Sequence, residues 1–189
     1  MDARTKILNA ASQLFLEGGG SALSVRAISK RAGLSTIGIY SHFQGKQGIL
    51  DALYIEGFHL VREAMDVIPD DGRASKAQVL ESCLGYLNVA EKYEAHYRLI
   101  FGESDAGYQP SEEAIAARDS AFAKLVQVAG SYLSEDTSMI ERQQIALDIW
   151  AIVHGYVSIS HHVVFTDGLD LDWKSMALRV VEVQLDSIG

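Results

Sequence analysis

Residues 24–43 read Ser24-Val-Arg-Ala-Ile-Ser-Lys-Arg-Ala-Gly33-Leu-Ser-Thr-Ile-Gly-Ile-Tyr-Ser-His-Phe43. Val25, Ile28 and Ala32 recur at helical spacing and give the first part of this stretch one apolar stripe. Gly33 can take the positive φ that ends a helix sharply. Leu34 can plug the corner, and Ser35 can cap a second helix by accepting a backbone N–H. Ile39 and Phe43, four apart, share a face that points to a core, which leaves Thr36, Ile37, Ser41 and His42 outward. A short helix, a glycine turn and a second short helix with a small, mixed outer face form the helix-turn-helix pattern. Its second helix enters the DNA major groove.

Charge follows the same division. Of the chain's 16 basic and 25 acidic residues, residues 1–48 hold six basic (Arg4, Lys6, Arg26, Lys30, Arg31, Lys46) and two acidic (Asp2, Glu17). The head therefore carries +4 and the rest −13, within a total of −9. A basic end on an acidic body predicts that one end meets phosphate and the other does not.

At 189 residues, 48% of them hydrophobic, the chain can bury a core as one domain or as a small domain on a larger one. No apolar run reaches the roughly 18 residues of a membrane span, so no membrane partner is expected. Asp2 and the interrupted apolar pattern after it do not read as a signal peptide. Cys83, the single cysteine, leaves no internal disulfide and fits a reducing cytoplasm.

The periodicity predicts an all-α chain of nine helices. Ile7, Leu8, Ala11, Leu14 and Phe15 mark the first, stopped at Gly18-Gly19-Gly20. The pair above supplies the second and third. The fourth runs from Lys46 to Val67 and is ended by Pro69-Asp-Asp-Gly72. The fifth spans Ala74 to Lys92, the sixth Ala95 to Phe101, the seventh Ser111 to Leu133 and the eighth Ser138 to Phe165. After an acidic turn from Thr166 to Asp172, the ninth runs from Trp173 to Ile188.

Residues 5–53 resemble the tetracycline-repressor (TetR) family of bacterial regulators. The likeness rests on the first helix ending in glycines, on Leu23 to Ser35, on Ile39-Tyr-Ser-His-Phe43 and on Gly45-Lys46 leading into Ile49-Leu50. Tyr97-Arg-Leu-Ile-Phe101 and Ile149-Trp-Ala-Ile-Val-His-Gly155 look like segments of one branch of the family's ligand-binding domains. The resemblance implies a nine-helix fold with a DNA-binding head over 1–48 and a ligand-binding and dimerisation body over 49–189. It also implies a cytoplasmic homodimer, usually a repressor, that a small molecule releases from a double-stranded operator. Ile37-Gly38 and Gly48 depart from the family's usual residues.

The candidate DNA contacts are Ser24, Arg26, Thr36, Ile37, Gly38, Tyr40, Ser41, His42 and Lys46. An arginine such as Arg26 can bind guanine O6 and N7 with two hydrogen bonds, or stay solvated. In the family the matching serine caps the second helix and touches phosphate, which is the expectation for Ser24. Tyr40 can pack its ring inward and offer its hydroxyl to phosphate. His42 reads as a phosphate contact or a solvated histidine. Lys46 opens the fourth helix, where an ammonium and a helix N-terminus both favour an anion.

The fourth to eighth helices bring several aromatic residues into one body. Cys83, Tyr86, Tyr97, Phe101, Phe122, Trp150 and His154 are candidate lining residues for an apolar or aromatic effector; core packing alone is the alternative. Ile152, Tyr156 and Ile159 on the eighth helix and Met176, Val180 and Val183 on the ninth give more apolar surface than one buried face requires. They predict an isologous dimer, or else complete the monomer's core.

No constellation of an enzyme stands out, and no cofactor or metal is expected. His154 and His161 are seven apart and lack the ligand spacing of four. Glu103-Ser104-Asp105 has no glycine-rich cradle beside it. The run from Asp167 to Asp172 lacks the closing glutamate of a calcium loop. The alternative is an all-helical enzyme or interaction module whose head no longer binds DNA.

Overall fold

The structure, a computed structural model, describes residues 1–66, 73–102, 107–161 and 171–188. The expectations for Val67, Pro69–Gly72, Glu103–Asp105, His162–Phe165 and 166–170 lie outside these residues. Among the described residues there are nine α-helices and no strand.

Short polar side chains fix most helix starts, each by accepting one of the N–H groups that a helix leaves unpaired. Asp2 caps α1 (Ala3–Gly18) through the Thr5 N–H, and Ser24 caps α2 (Val25–Ala32) through Ala27. Ser35 caps α3 (Thr36–Phe43) through Gly38. α4 (Lys46–Ala64) follows directly. Ser75 and Gln78 bond reciprocally at the start of α5 (Lys76–Lys92), which is why that helix begins at Lys76 rather than at Ala74. α6 covers Glu94–Ile100. Ser111 caps α7 (Glu112–Tyr132) through Ala114. Ser138 and Glu141 form a full capping box on α8 (Met139–Ser160). Asp172 caps α9 (Trp173–Ile188) through Ser175.

The chain divides into two compact units, 1–60 with 92–119 and 61–91 with 120–189. α4 and α7 each begin in the first and end in the second.

In the first unit, α1, α2 and α3 enclose Ile7, Ala11, Phe15, Ile28 and Ile39, and α6 packs on α1. A 3-10 turn at Gly20–Ala22 joins α1 to α2. Gly33 ends α2 at φ 67°, the left-handed conformation in which an L side chain is strained. α4 starts against the end of α3. A Cβ on Gly48 would collide with the carbonyl oxygen of Phe43, so residue 48 has no room for a side chain. The Lys46 ammonium reaches back 3.2 Å to the Gly20 carbonyl. Arg31 grips Glu17 with two hydrogen bonds of 2.9 and 2.7 Å and ties α2 to α1. Tyr108 and the Ser111 N–H both donate to the Asp51 carboxylate, at 2.8 and 3.1 Å, and fasten residues 108–111 to α4.

In the second unit, α5 and α9 run antiparallel with lysines at both ends. Lys76 pairs with Glu182 and Asp186, at 3.2 and 2.9 Å. Lys174 reaches Asn88 and Glu91. Ala177, Val181 and Leu185, at i, i+4, i+8, are fully buried against a core that includes Ile149, Val153 and Val157 of α8. Arg142 gathers the carbonyls of Gly130, Ser134 and Thr137, which closes the end of α7.

Gly33→Ala should lower stability by about 1–2 kcal/mol, the cost of a left-handed non-glycine residue. Gly48→Ala should cost more, because backbone must move to admit the methyl. Urea titration followed by helical circular dichroism measures both; a Gly48→Ala midpoint at or above that of Gly33→Ala refutes the ordering.

Candidate functional site

α3 turns Ile39 and Phe43 into the core and presents the opposite face to solvent. Thr36, Ile37, Tyr40, Ser41 and His42 are all exposed, and Gly38 is half-buried. Ile37 is 79% exposed and Tyr40 57%. The Tyr40 ring lies against Gly45, where an added Cβ would come within 3.2 Å of its Cε1. Its hydroxyl is carried outward. Ser41 gives its hydroxyl proton to the Gly38 carbonyl at 2.9 Å. Arg26 is exposed on α2, next to the cap residue Ser24. The head thus offers a solvated helix flanked by cations, the arrangement that a major groove accepts. Lys46 is half-buried with its bond to Gly20, so part of its donor capacity is used internally.

The body holds a second constellation. Trp150 Nε1–H donates to the Tyr86 hydroxyl at 3.0 Å, and that hydroxyl lies 3.3 Å from His154 Nδ1. An indole nitrogen can only donate, so the phenol oxygen accepts from it and keeps its own proton for the imidazole. Burial pushes the His154 pKa below its ordinary 6.5, which keeps the ring neutral and able to accept. One turn before Tyr86, the Ser82 hydroxyl is buried and finds no hydrogen-bond partner among the described residues. Cys83 is buried beside it, and burial pushes its thiol up to about 12, so it is no nucleophile at neutral pH.

Comparison with known proteins joins these observations. Residues 7–53 match the description "Bacterial regulatory proteins, tetR family", and residues 79–183 match "Tetracyclin repressor-like, C-terminal domain". The chain belongs to the tetracycline-repressor family. The HTH-type transcriptional regulator UidR of Escherichia coli K12 is 38% identical over 53 residues, which are 28% of this chain and only 27% of UidR. A bacterial regulatory protein of the tetR family from Rhodococcus RHA1 superposes with a TM-score of 0.75 at 22% identity, over 100% of this chain and 98% of that one. NalD of Pseudomonas aeruginosa, the secondary repressor of the MexAB-OprM multidrug efflux pump, gives 0.65 at 18% identity, over 98% and 95%. At these identities the likeness is one of fold.

Family membership makes the chain a DNA-binding transcriptional regulator, and the enzymatic alternative gives way to it. No helix among the described residues is long and apolar enough to cross a membrane. His161 is exposed, and no three His, Cys, Asp or Glu side chains gather as a metal site among the described residues.

The aromatic candidates of this TetR-family chain fall into two groups. Tyr97 and Phe101 belong to the first unit, where Phe101 meets Tyr97 and Phe58 with ring centroids 4.8 and 6.0 Å away. Cys83, Tyr86, Phe122, Trp150 and His154 belong to the second, where Tyr86, Trp150 and His154 touch and Phe122 is half-buried. Of the interface candidates, Ile159, Val180 and Val183 are exposed, at 57, 36 and 65%, while Ile152, Tyr156 and Met176 are half-buried. α9 is therefore apolar on two opposite sides.

Among the charged pairs that sequence reasoning missed, one involves a buried lysine. Lys124 of α7 is buried, and its ammonium lies 2.7 Å from Asp66, just past the end of α4. Beside it, a Cβ on Gly85 would strike the Ala64 carbonyl, so α5 and the end of α4 are in backbone contact. A lysine within an apolar helix is the only trace this leaves in the sequence.

The Lys124 hydrogen bond holds the Asp66 carboxyl below its ordinary value. A depressed carboxylate stabilises the fold above its unfolded pKa, and that contribution is lost as pH falls through the folded one. Asp66→Asn should cost about 2 kcal/mol at pH 7, less than the ~3–5 of a fully buried pair because Asp66 is half solvated. Lys124→Met should cost less. Denaturation midpoints taken from pH 7 downward check this: the gap between the Asn variant and wild type should narrow as the pH falls below the ordinary carboxylate value.

Proposed function

We propose that this chain is a homodimeric repressor that binds a palindromic operator and releases it when a small apolar or aromatic effector enters the body. The outward face of α3 carries this reading. Residues 1–48 serve as the DNA-binding head and 49–189 as the effector-binding and dimerisation body, working in the cytoplasm. Two copies would present their α3 helices to half-sites one helical turn apart, roughly 34–36 Å, or a multiple of it. Arg26 reads a guanine, Ser24, Tyr40 and His42 meet phosphate, and Thr36, Ile37, Gly38 and Ser41 face the base edges. Lys46 divides its donors between Gly20 and phosphate. NalD, which shares the fold, is itself a repressor.

The apolar residues left exposed or half-exposed on α8 and α9 support dimerisation. Ile152, Tyr156 and Ile159 with Met176, Val180 and Val183 would be covered by the same surface of a second copy. For the effector, Cys83, Tyr86, Phe122, Trp150 and His154 supply aromatic walls with few polar groups, the composition of drug-sized sites. Ser82 adds an unpaired hydroxyl to them. The effector acts by preferring one position of α4 over another, and a coupling of about 1–3 kcal/mol is enough.

Selection from a randomised duplex library should enrich a palindrome. Arg26→Ala should weaken that duplex by about 1–3 kcal/mol relative to unrelated DNA. Equal binding of both would remove Arg26 from base reading. Val183→Arg should sediment as a monomer in ultracentrifugation, and a persisting dimer counts against the α8–α9 interface. A compound that raises the melting temperature in a thermal-shift screen should also lower operator affinity. Tyr86→Phe should weaken both effects, since it removes the hydroxyl that accepts from the Trp150 N–H.

A further inference from the structure

We infer that Ile37 reads the C5-methyl group of a thymine in each operator half-site. The inference rests on the DNA-binding role of α3 proposed above and names the chemical feature which that helix recognises.

Ile39 and Phe43 define the inward side of α3. Ile37 and Ser41, four residues apart, occupy the centre of the opposite side. Ser41's proton is bonded to the Gly38 carbonyl, so it has none to give a base without breaking that bond. The centre of the reading face is therefore the butyl side chain of Ile37, 79% exposed and flanked by the small residues Gly38 and Ser41.

The helix, Thr-Ile-Gly-Ile-Tyr-Ser-His-Phe, contains no Arg, Lys, Asn, Gln, Asp or Glu. These are the side chains that discriminate bases by paired hydrogen bonds. The first amide, Gln44, lies past the end of the helix in a left-handed conformation. What α3 brings to the groove at its centre is apolar. The one apolar group that a base pair exposes in the major groove is the thymine methyl. Ile37 also has no packing role, so its identity is free to serve the partner. Arg26 on α2 is left to supply any guanine contact.

The test uses the full chain and the duplex enriched by library selection. Each thymidine of that duplex is replaced in turn, in both half-sites, by deoxyuridine, which removes the methyl and keeps the hydrogen-bonding edge. One position should lose about fourfold in affinity per half-site, the worth of one buried methyl. Ile37→Ala should bind the parent duplex correspondingly more weakly and show no further loss at that deoxyuridine. Ile37→Leu should keep the sensitivity. Helical circular dichroism should be unchanged in both variants, because the residue is exposed. If every deoxyuridine duplex binds wild type like the parent, the inference falls while the DNA-binding reading stands. If the penalty persists undiminished in Ile37→Ala, another side chain holds the methyl and the inference also falls. If no duplex is enriched, the DNA-binding reading fails and this inference with it.

Discussion

The first unit depends on how closely α4 begins beneath α3. Residue 48 has no side chain, so the first turn of α4 lies against the Phe43 carbonyl. That contact and the bond from Lys46 to Gly20 fix where α4 starts relative to the turn that precedes α2. Further along, Asp51 holds Tyr108 and Ser111. Burial beside this carboxylate pushes the Tyr108 phenol well above its ordinary value, so it remains a donor at any physiological pH. Near its other end, α4 meets α5 backbone to side-chain-free backbone at Ala64 and Gly85, and Asp66 just beyond holds Lys124. Each contact is polar or steric, and each has one geometry.

The helical architecture was legible because it is written in local signals. Apolar spacing of three and four gives the helices, and serine or aspartate at each start gives most of the boundaries. The turn between α2 and α3 was readable to the residue, since Ser24, Gly33 and Ser35 each do what their backbone chemistry favours. Boundaries shifted where a capping pair outranked the apolar pattern, as Ser75 and Gln78 do at α5. The outward face of α3 was legible for the same local reason: residues that do not share the phase of Ile39 and Phe43 must face away.

What was not legible lies at long range. Asp51 and Tyr108 are 57 positions apart, Tyr86 and His154 are 68, and Lys76 and Asp186 are 110. No local rule links such pairs, because their meeting is decided by tertiary packing. The buried Lys124 is the clearest case: spacing placed it on an apolar helix, and only its partner explains why a charge is tolerated there. The grouping of the aromatic residues followed the same limit. Their number suggested one core, and the structure assigns Tyr97 and Phe101 to one compact unit and Tyr86, Trp150 and His154 to the other.

The solvated side of α3 has one more consequence, for descent. Ile37, Thr36 and Ser41 make no contact that the head needs to fold, while Ile39, Phe43, Gly33 and Gly48 admit almost no change. Mutations can therefore accumulate at these three codons without loss of the folded protein, and on the DNA-reading role proposed for α3 each would alter only which sequence is bound. A duplicated gene could acquire a new address in the genome through single substitutions, with every intermediate still folded. Copies that share the scaffold would then be insulated from one another by the few side chains that the scaffold ignores.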